Sequence, residues 1–305
     1  MGVIISFINL KGGVGKTTCC ANIAGELARE NRKVLVIDAD PQANLSTLLM
    51  GPKRYFDKFG TEEQNNNNAY INTIYQIFLD AMELDESNKK FNYEEAIIKS
   101  VVQQTVKGKK LRPLPHLDLL PATYHLMKLE QQIVNYVRSR YAILNKSLEQ
   151  IKEKYNFVLI DCPPNIYTTT QNSLYASDYY IIPTIPDYLS ISGIPLLINT
   201  LNKTIEIKKE EKDLSVQLAG ILINLLNKQI NVHKEGRKRI ERLLYLFKEK
   251  QWVGEDALIF KNLITSKVDV KKASGNYLPI CIDSPRSNST MEFKNLCHEI
   301  IERIS

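Results

Sequence analysis

The chain has 305 residues, 44% hydrophobic and 24% charged, an ordinary globular composition that excludes wholesale disorder. Forty Lys and Arg against 34 Asp and Glu give a net charge of +6, mildly basic, which permits contact with nucleic acid or anionic lipid without establishing either. Five cysteines, an odd count with no CxxC, suggest neither a disulfide framework nor a zinc ribbon and fit a reducing, cytoplasmic compartment.

The apolar run Val3–Ile8 leads into glycines rather than into a small-residue cleavage site, so it reads as a strand and not a signal peptide. Gly12–Gly15 breaks it, Thr17–Glu30 reads as a helix, and Lys33–Asp38 reads as a second buried strand. Strand, helix and strand within about 35 residues make a βαβ unit and predict a parallel sheet. Further strands are expected at Leu117–Leu120, Phe157–Asp161, Tyr179–Pro183, Gln217–Asn224 and Ala257–Phe260. Helices are expected at Ala142–Lys154, Ile191–Glu211 and Lys234–Lys250, with a closing helix at Ser289–Ile304. No apolar run approaches the ~20 residues of a membrane span.

Gly51–Leu114 departs from this regularity. It holds an Asn65–Asn68 run, helical patterns at Tyr70–Met82 and near Tyr93–Gln104, and a basic stretch Lys107–Arg112. It reads as a helical insertion within a single domain spanning residues 1–305.

Lys11-Gly12-Gly13-Val14-Gly15-Lys16-Thr17-Thr18 follows the first strand and opens the first helix. Small residues there let successive N–H groups curl around a phosphate, and the helix N-terminus adds partial positive charge. Lys16 is expected to reach the β- and γ-phosphates and the Thr17 hydroxyl to ligate Mg²⁺. A bare strand-to-helix turn is the plain alternative, disfavoured by the strand before and the helix after. The fold class is therefore α/β: a doubly wound, mostly parallel sheet flanked by helices, of the P-loop NTPase type.

Asp38 and Asp161 end buried strands at the sheet edge where α/β proteins bind ligands. Asp161 suits Mg²⁺ held through a water. Asp40 shares a face with Asp38 if the strand continues and sits on the loop nearest the γ-phosphate if it has ended; either acid could instead cap a helix starting near Pro41. Asn224 ends a strand where an amide could both donate to and accept from adenine, or cap the strand end.

KGGVGKTT with the additional Lys11 resembles the deviant Walker A motif of the ParA/MinD ATPases. Asp38-Ala39-Asp40-Pro41-Gln42-Ala43-Asn44 resembles the switch of the ParA branch, and Val158–Pro164 its Walker B. Leu117–Ala122 and Ile264–Ile280 match weaker family segments, and Gly51–Leu114 is not covered. The resemblance implies ATP and Mg²⁺ as cofactors, Asp38 in the Mg²⁺ shell and Asp40 orienting the attacking water. It also implies that Lys11 crosses into a partner's site in an ATP-sandwich homodimer, as an arginine finger acts in trans. Pro186-Asp187 resembles a loop at that dimer interface. After Asn224 this chain reads Leu225-Leu226-Asn227 where the family often has Thr-x-Tyr-Asp, a departure at the base contacts.

Lys228–Lys250 carries eight Lys/Arg against three Glu, and Lys267, Lys271 and Lys272 form a second cluster on a helix after Thr265. The resemblance implies non-specific DNA binding through Arg237, Lys238, Arg242, Lys267, Lys271 and Lys272; phosphate contact needs only arrayed positive charge. It further implies a nucleoid-associated ATPase of plasmid or chromosome partition, released from DNA on hydrolysis and stimulated by a ParB-like, centromere-binding adaptor. The alternative is a MinD-like membrane-associated ATPase. Against it, the last helix sets Phe293, Leu296, Cys297, Ile300, Ile301 and Ile304 opposite Glu292, Glu299 and Glu302, which predicts packing onto the domain and no membrane partner. An iron-protein relative would need cluster cysteines, and none lies between Cys20 and Cys162.

Overall fold

In the computed structural model, which describes residues 2–60, 72–82, 90–102, 105–106, 109–110, 114–133, 141–212, 214–227 and 229–304, six short apolar runs become strands. They are β1 (Val3–Phe7), β2 (Val34–Asp38), β3 (Leu117–Leu120), β4 (Phe157–Asp161), β5 (Tyr179–Thr184) and β6 (Gln217–Ile223). The sheet order is β3-β2-β4-β1-β5-β6, and every pairing is parallel. Every residue of β2, β3 and β4 is buried, which is why these strands read as continuous apolar runs rather than alternating ones.

The chain crosses leftward from β1 to β2 and later rightward from β4 to β5, so the winding reverses between the adjacent strands β1 and β4. Ligands bind outside the strand C-termini at such a reversal. Phe7 and Asp38 are both level with Asp161 in the register, so the glycine loop after β1 and two strand-end acids emerge side by side.

Several expected elements are altered by tertiary pairing. The helix predicted near Tyr93–Gln104 stops at Ala96. Ile98 then exchanges backbone hydrogen bonds with Leu119 (2.8 and 3.0 Å), because the edge strand β3 has unpaired groups to satisfy. Ala257–Phe260 is not a regular strand; Leu258 accepts from the Ile221 N–H and Phe260 donates to the Ile221 carbonyl, covering the opposite edge at β6. The Ala142–Lys154 helix is Ile143–Leu148 followed by a 3₁₀ turn, Lys152–Lys154. Ile191–Glu211 is two helices, Tyr188–Ser192 and Ile194–Lys212, meeting at Gly193. The helix expected from Pro41 begins at Asn44. Tyr70–Met82 is observed as a helix over Ile74–Met82. The Asn65–Asn68 run lies outside the described residues, as does the Lys107–Arg112 stretch except for Lys109–Lys110, which pairs with Thr105–Val106.

The C-terminal helix Asn288–Ile304 buries Phe293, Leu296, Cys297 and Ile300. Its acids are not simply solvated. Glu299 accepts from the Lys261 and Asn262 N–H groups, and Glu292 from Thr265 and Lys267. Among the described residues no helix is long and apolar enough to cross a membrane. All five cysteines are buried and unpaired as disulfides.

Candidate nucleotide site and basic surfaces

The turn between β1 and the helix Lys16–Arg29 is made by Gly13 (φ 77°) and Gly15 (φ 86°), left-handed positions that favour glycine. A Cβ on Gly15 would stand 2.2 Å from the Asn224 amide nitrogen, whereas Gly12 and Gly13 face open space. The loop therefore presents bare backbone to the cleft and is braced from behind. Asn224, buried at the end of β6, donates to the Val14 carbonyl at 2.7 Å. Asn9 fixes the other flank: its side chain accepts from the Lys11 N–H and donates to the Pro183 carbonyl. The Lys16 ammonium donates to the carbonyls of Asn9 (3.0 Å) and Lys11 (3.3 Å). Burial lowers its pKa, opposed chiefly by the charge of Asp161.

The Thr17 hydroxyl donates to Asp161 Oδ2 at 2.6 Å. Asp161 Oδ1 is buried with no hydrogen-bond partner among the described residues. Burial raises the Asp161 pKa well above the usual carboxylate range, and the neighbouring Asp38 adds to the shift. A divalent cation would relieve both costs. Mg²⁺ prefers oxygen donors and keeps several waters, so a hydroxyl and one carboxylate with a spare oxygen fit it. Among the described residues no three acidic, His or Cys side chains could hold a metal alone, which leaves coordination to be shared with solvent and phosphate.

Asp38 is committed elsewhere. Its Oδ1 accepts from the Asp40 N–H, and its Oδ2 from both the N–H and the hydroxyl of Ser46. Ser46 in turn accepts from the Ala122 N–H, tying β2 to the segment after β3. Burial pushes the Asp38 carboxyl up to about 7. Asp40 lies past the end of β2, on the loop. One oxygen accepts from the Gln42 N–H at 2.9 Å, and burial raises its pKa.

Lys11 does not line the cleft. Its ammonium contacts Asp187 Oδ1 at 3.3 Å and Ser190 Oγ at 3.0 Å within the same chain. Asp187 caps the helix Tyr188–Ser192; against burial, which would raise it, the Ser190 N–H and hydroxyl and then Lys11 hold its pKa below the ordinary value.

The cleft holds about 700 Å³, within the usual range for small-molecule sites. Gly12, Gly13, Gly15, Lys16, Thr17 and Thr18 line its floor, and Asp40, Gln42, Asn44 and Thr47 line one side. The opposite side is Leu225, Lys267, Val270, Lys271, Ser274 and Tyr277. Sequence reasoning did not assign Asn9, Gln42, Asn44 or most of that far wall to the site; Gln42 and Asn44 carried a signal, since they stand in the Asp38–Asn44 switch segment, and Asn9 only its place just before the glycine loop. The two basic clusters do not form one array. Lys267 and Lys271 border the cleft, with Lys267 paired to Glu292 at 2.9 Å, while Lys272 is exposed outside it. Lys238 and Arg242 line a shallow depression with Tyr245 and Leu246, and Arg237 is paired to Glu241 at 3.0 Å.

Comparison with known proteins agrees with this arrangement. The AAA domain family AAA_31 matches residues 2–216. An uncharacterized protein of Methanocaldococcus jannaschii is 32% identical over 302 residues, covering 99% of each chain. The chromosome-partitioning ATPase Soj of Treponema pallidum is 26% identical, covering 99% of this chain and 98% of its own. A solved structure of cobyrinic acid a,c-diamide synthase from Mycobacterium smegmatis, with bound ADP and magnesium, shares the fold with a TM-score of 0.68 at 19% identity, covering 100% of this chain and 96% of that one. With the family match running over residues 2–216, and a glycine loop and strand-end acids meeting at one cleft, the chain belongs to the AAA domain family as a ParA-type P-loop ATPase.

Proposed function

We propose that this protein hydrolyses ATP in a Mg²⁺-dependent cycle that positions DNA, as a partition ATPase of plasmids or chromosomes. The observation that carries the reading is the convergence of Lys16, Thr17–Asp161 and Asp40 on one glycine-floored cleft. Gly12 to Thr18 hold the phosphates through backbone N–H groups, and Lys16 gives up its carbonyl partners for them. Thr17 and Asp161 hold Mg²⁺, which when bound neutralises phosphate charge. Asp40 orients the attacking water with its free oxygen. Asp38 keeps the Asp40 loop in place by accepting the Asp40 N–H and shapes the Mg²⁺ shell from behind, and Asn224 braces the glycine loop through the Val14 carbonyl on the base side of the cleft.

Lys11 completes the site of a second copy in an ATP-dependent homodimer, exchanging Asp187 for a phosphate. The dimer joins the basic surfaces at Arg237, Lys238 and Arg242 with Lys272 and binds DNA without sequence preference. An adaptor of the ParB kind, bound to the cargo, triggers hydrolysis. The relative named as a chromosome-partitioning ATPase supports this reading. The test is phosphate release by the purified protein with ATP, with and without Mg²⁺, alongside Lys16→Ala. Mg²⁺-dependent turnover that the variant lacks is expected; equal release by both proteins would sink the assignment.

A further inference from the structure

The far wall of the cleft lies beyond the family-matched residues 2–216 and is built from two separate segments. Leu225 (φ 51°) and Tyr277 (φ 60°) both stand in the left-handed region; Tyr277 does so as it closes the helix Val268–Gly275, with the Leu278 N–H donating to the Ala273 carbonyl. Between them the helix Val268–Gly275 presents Lys271. Lys267, one turn earlier, is neutralised by Glu292, which also takes the Thr265 N–H and hydroxyl and so anchors the start of this helix to the C-terminal helix. Lys271 is exposed and makes no ion pair or hydrogen bond among the described residues. An uncompensated cation thus borders the same cleft as Thr17 and Thr18.

We propose that Lys271 contacts the phosphate chain of the bound nucleotide, as a third lysine of the site beside Lys16 and a partner's Lys11. The proposal rests on the nucleotide reading above. A phosphate chain rather than a base is the fitting ligand group. The rest of this wall, Leu225, Val270 and Tyr277, offers an apolar surface for a base, whereas a mobile ammonium suits a group of several negative charges. Lys271 is then removed from the DNA surface to which its charge alone would assign it.

Titration calorimetry with ADP·Mg²⁺ and with a slowly hydrolysed ATP analogue, on the full chain, tests this. Lys271→Ala is expected to lose on the order of tenfold in affinity for both nucleotides, and Lys271→Arg to recover most of it. Any preference among bases should be the same in Lys271→Ala as in the unmodified chain, because the ammonium meets phosphate and not the base. Lys203→Ala, on the distant helix Ile194–Lys212, should bind as the unmodified chain does. If Lys271→Ala keeps full affinity for both nucleotides but loses DNA retention in a gel shift, the lysine is a DNA contact and the proposal is overturned. If the unmodified chain binds neither nucleotide, the site reading fails and takes the proposal with it. Binding by the unmodified chain with no loss in Lys271→Ala overturns the lysine assignment alone.

Discussion

In the proposed phosphate site Lys16 and Asp40 have separate roles, and their variants should fail differently. Lys16 is mostly buried and faces negative charge from several sides. Removing one partner of such a set costs about 3–5 kcal/mol, so Lys16→Ala should show no measurable ATP binding by calorimetry. Asp40 touches no P-loop atom among the described hydrogen bonds and holds its own turn through Gln42. Asp40→Ala should bind ATP with nearly unchanged affinity and hydrolyse it about 10²–10⁴-fold more slowly, the range for loss of a group that handles the attacking water; normal turnover would remove Asp40 from the mechanism. A third residue gives a pH signature. His125 lies against Tyr124 with the rings tilted (4.0 Å between ring centres, 32° between planes) and beside Tyr75, and burial pushes its pKa down to about 4. Because the folded state favours the neutral ring, this contribution is complete above about pH 6.5, the unfolded value, and is lost as the pH falls toward 4. Because the raised carboxyls of Asp38 and Asp161 act in the opposite direction over the same window, the check is the difference: from pH 7 to 4.5 the urea midpoint of the unmodified chain should fall relative to that of His125→Gln.

At the scale of elements, the helix Asn231–Glu249 is seated on the loop that carries Asp187. A Cβ on Gly236 would meet the Pro186 carbonyl oxygen at 2.1 Å, so helix and loop are in direct backbone contact. Gly236→Ala should force them apart at a cost of about 1–3 kcal/mol, seen as a lowered melting temperature with circular dichroism otherwise unchanged. That contact was invisible in the sequence, and the reason is general to this chain. The six strands could be read because doubly covered parallel strands are short, apolar and bounded by turns. The glycine loop, Lys16, Thr17 and the strand-end acids could be read because each local segment carries its own chemistry. The helical reading near Tyr93–Gln104 failed because Ile97, Ile98, Val101 and Val102 have helical spacing but are pinned by the free edge of β3, a partner more than fifteen residues away. The far wall of the cleft was missed for a related cause. Leu225 and Tyr277 are ordinary apolar residues until the fold gives them left-handed backbone angles and sets both on one cleft.

For the whole molecule the decisive question is whether nucleotide state sets association. The Lys11–Asp187 contact is about one-third exposed on each side, and pairs of that kind are worth about 0–1 kcal/mol. Lys11 can therefore leave it for a phosphate at little cost. ATP, and not ADP, should drive dimerisation in light scattering, and only the dimer should retain DNA in a gel shift at physiological salt, because a monomer makes too few phosphate contacts. Lys11→Ala should bind nucleotide yet remain monomeric and fail to shift DNA. Equal DNA affinity with ATP, ADP and no nucleotide would show a merely basic protein.

The position of β1 has a further consequence. β1 is an inner strand of the sheet, and both of its neighbours, β4 and β5, are encoded about 150 residues or more downstream of it. At about 5–20 residues per second, β1 waits about 8–30 s during synthesis before either flank can be covered. Throughout that interval Val3–Phe7 is a bare apolar strand with two open edges, and the glycine loop behind it has nothing to be braced against. The growing chain therefore carries an uncovered inner strand through that interval, and the nucleotide cleft gains its far wall only once Lys267–Tyr277 has followed.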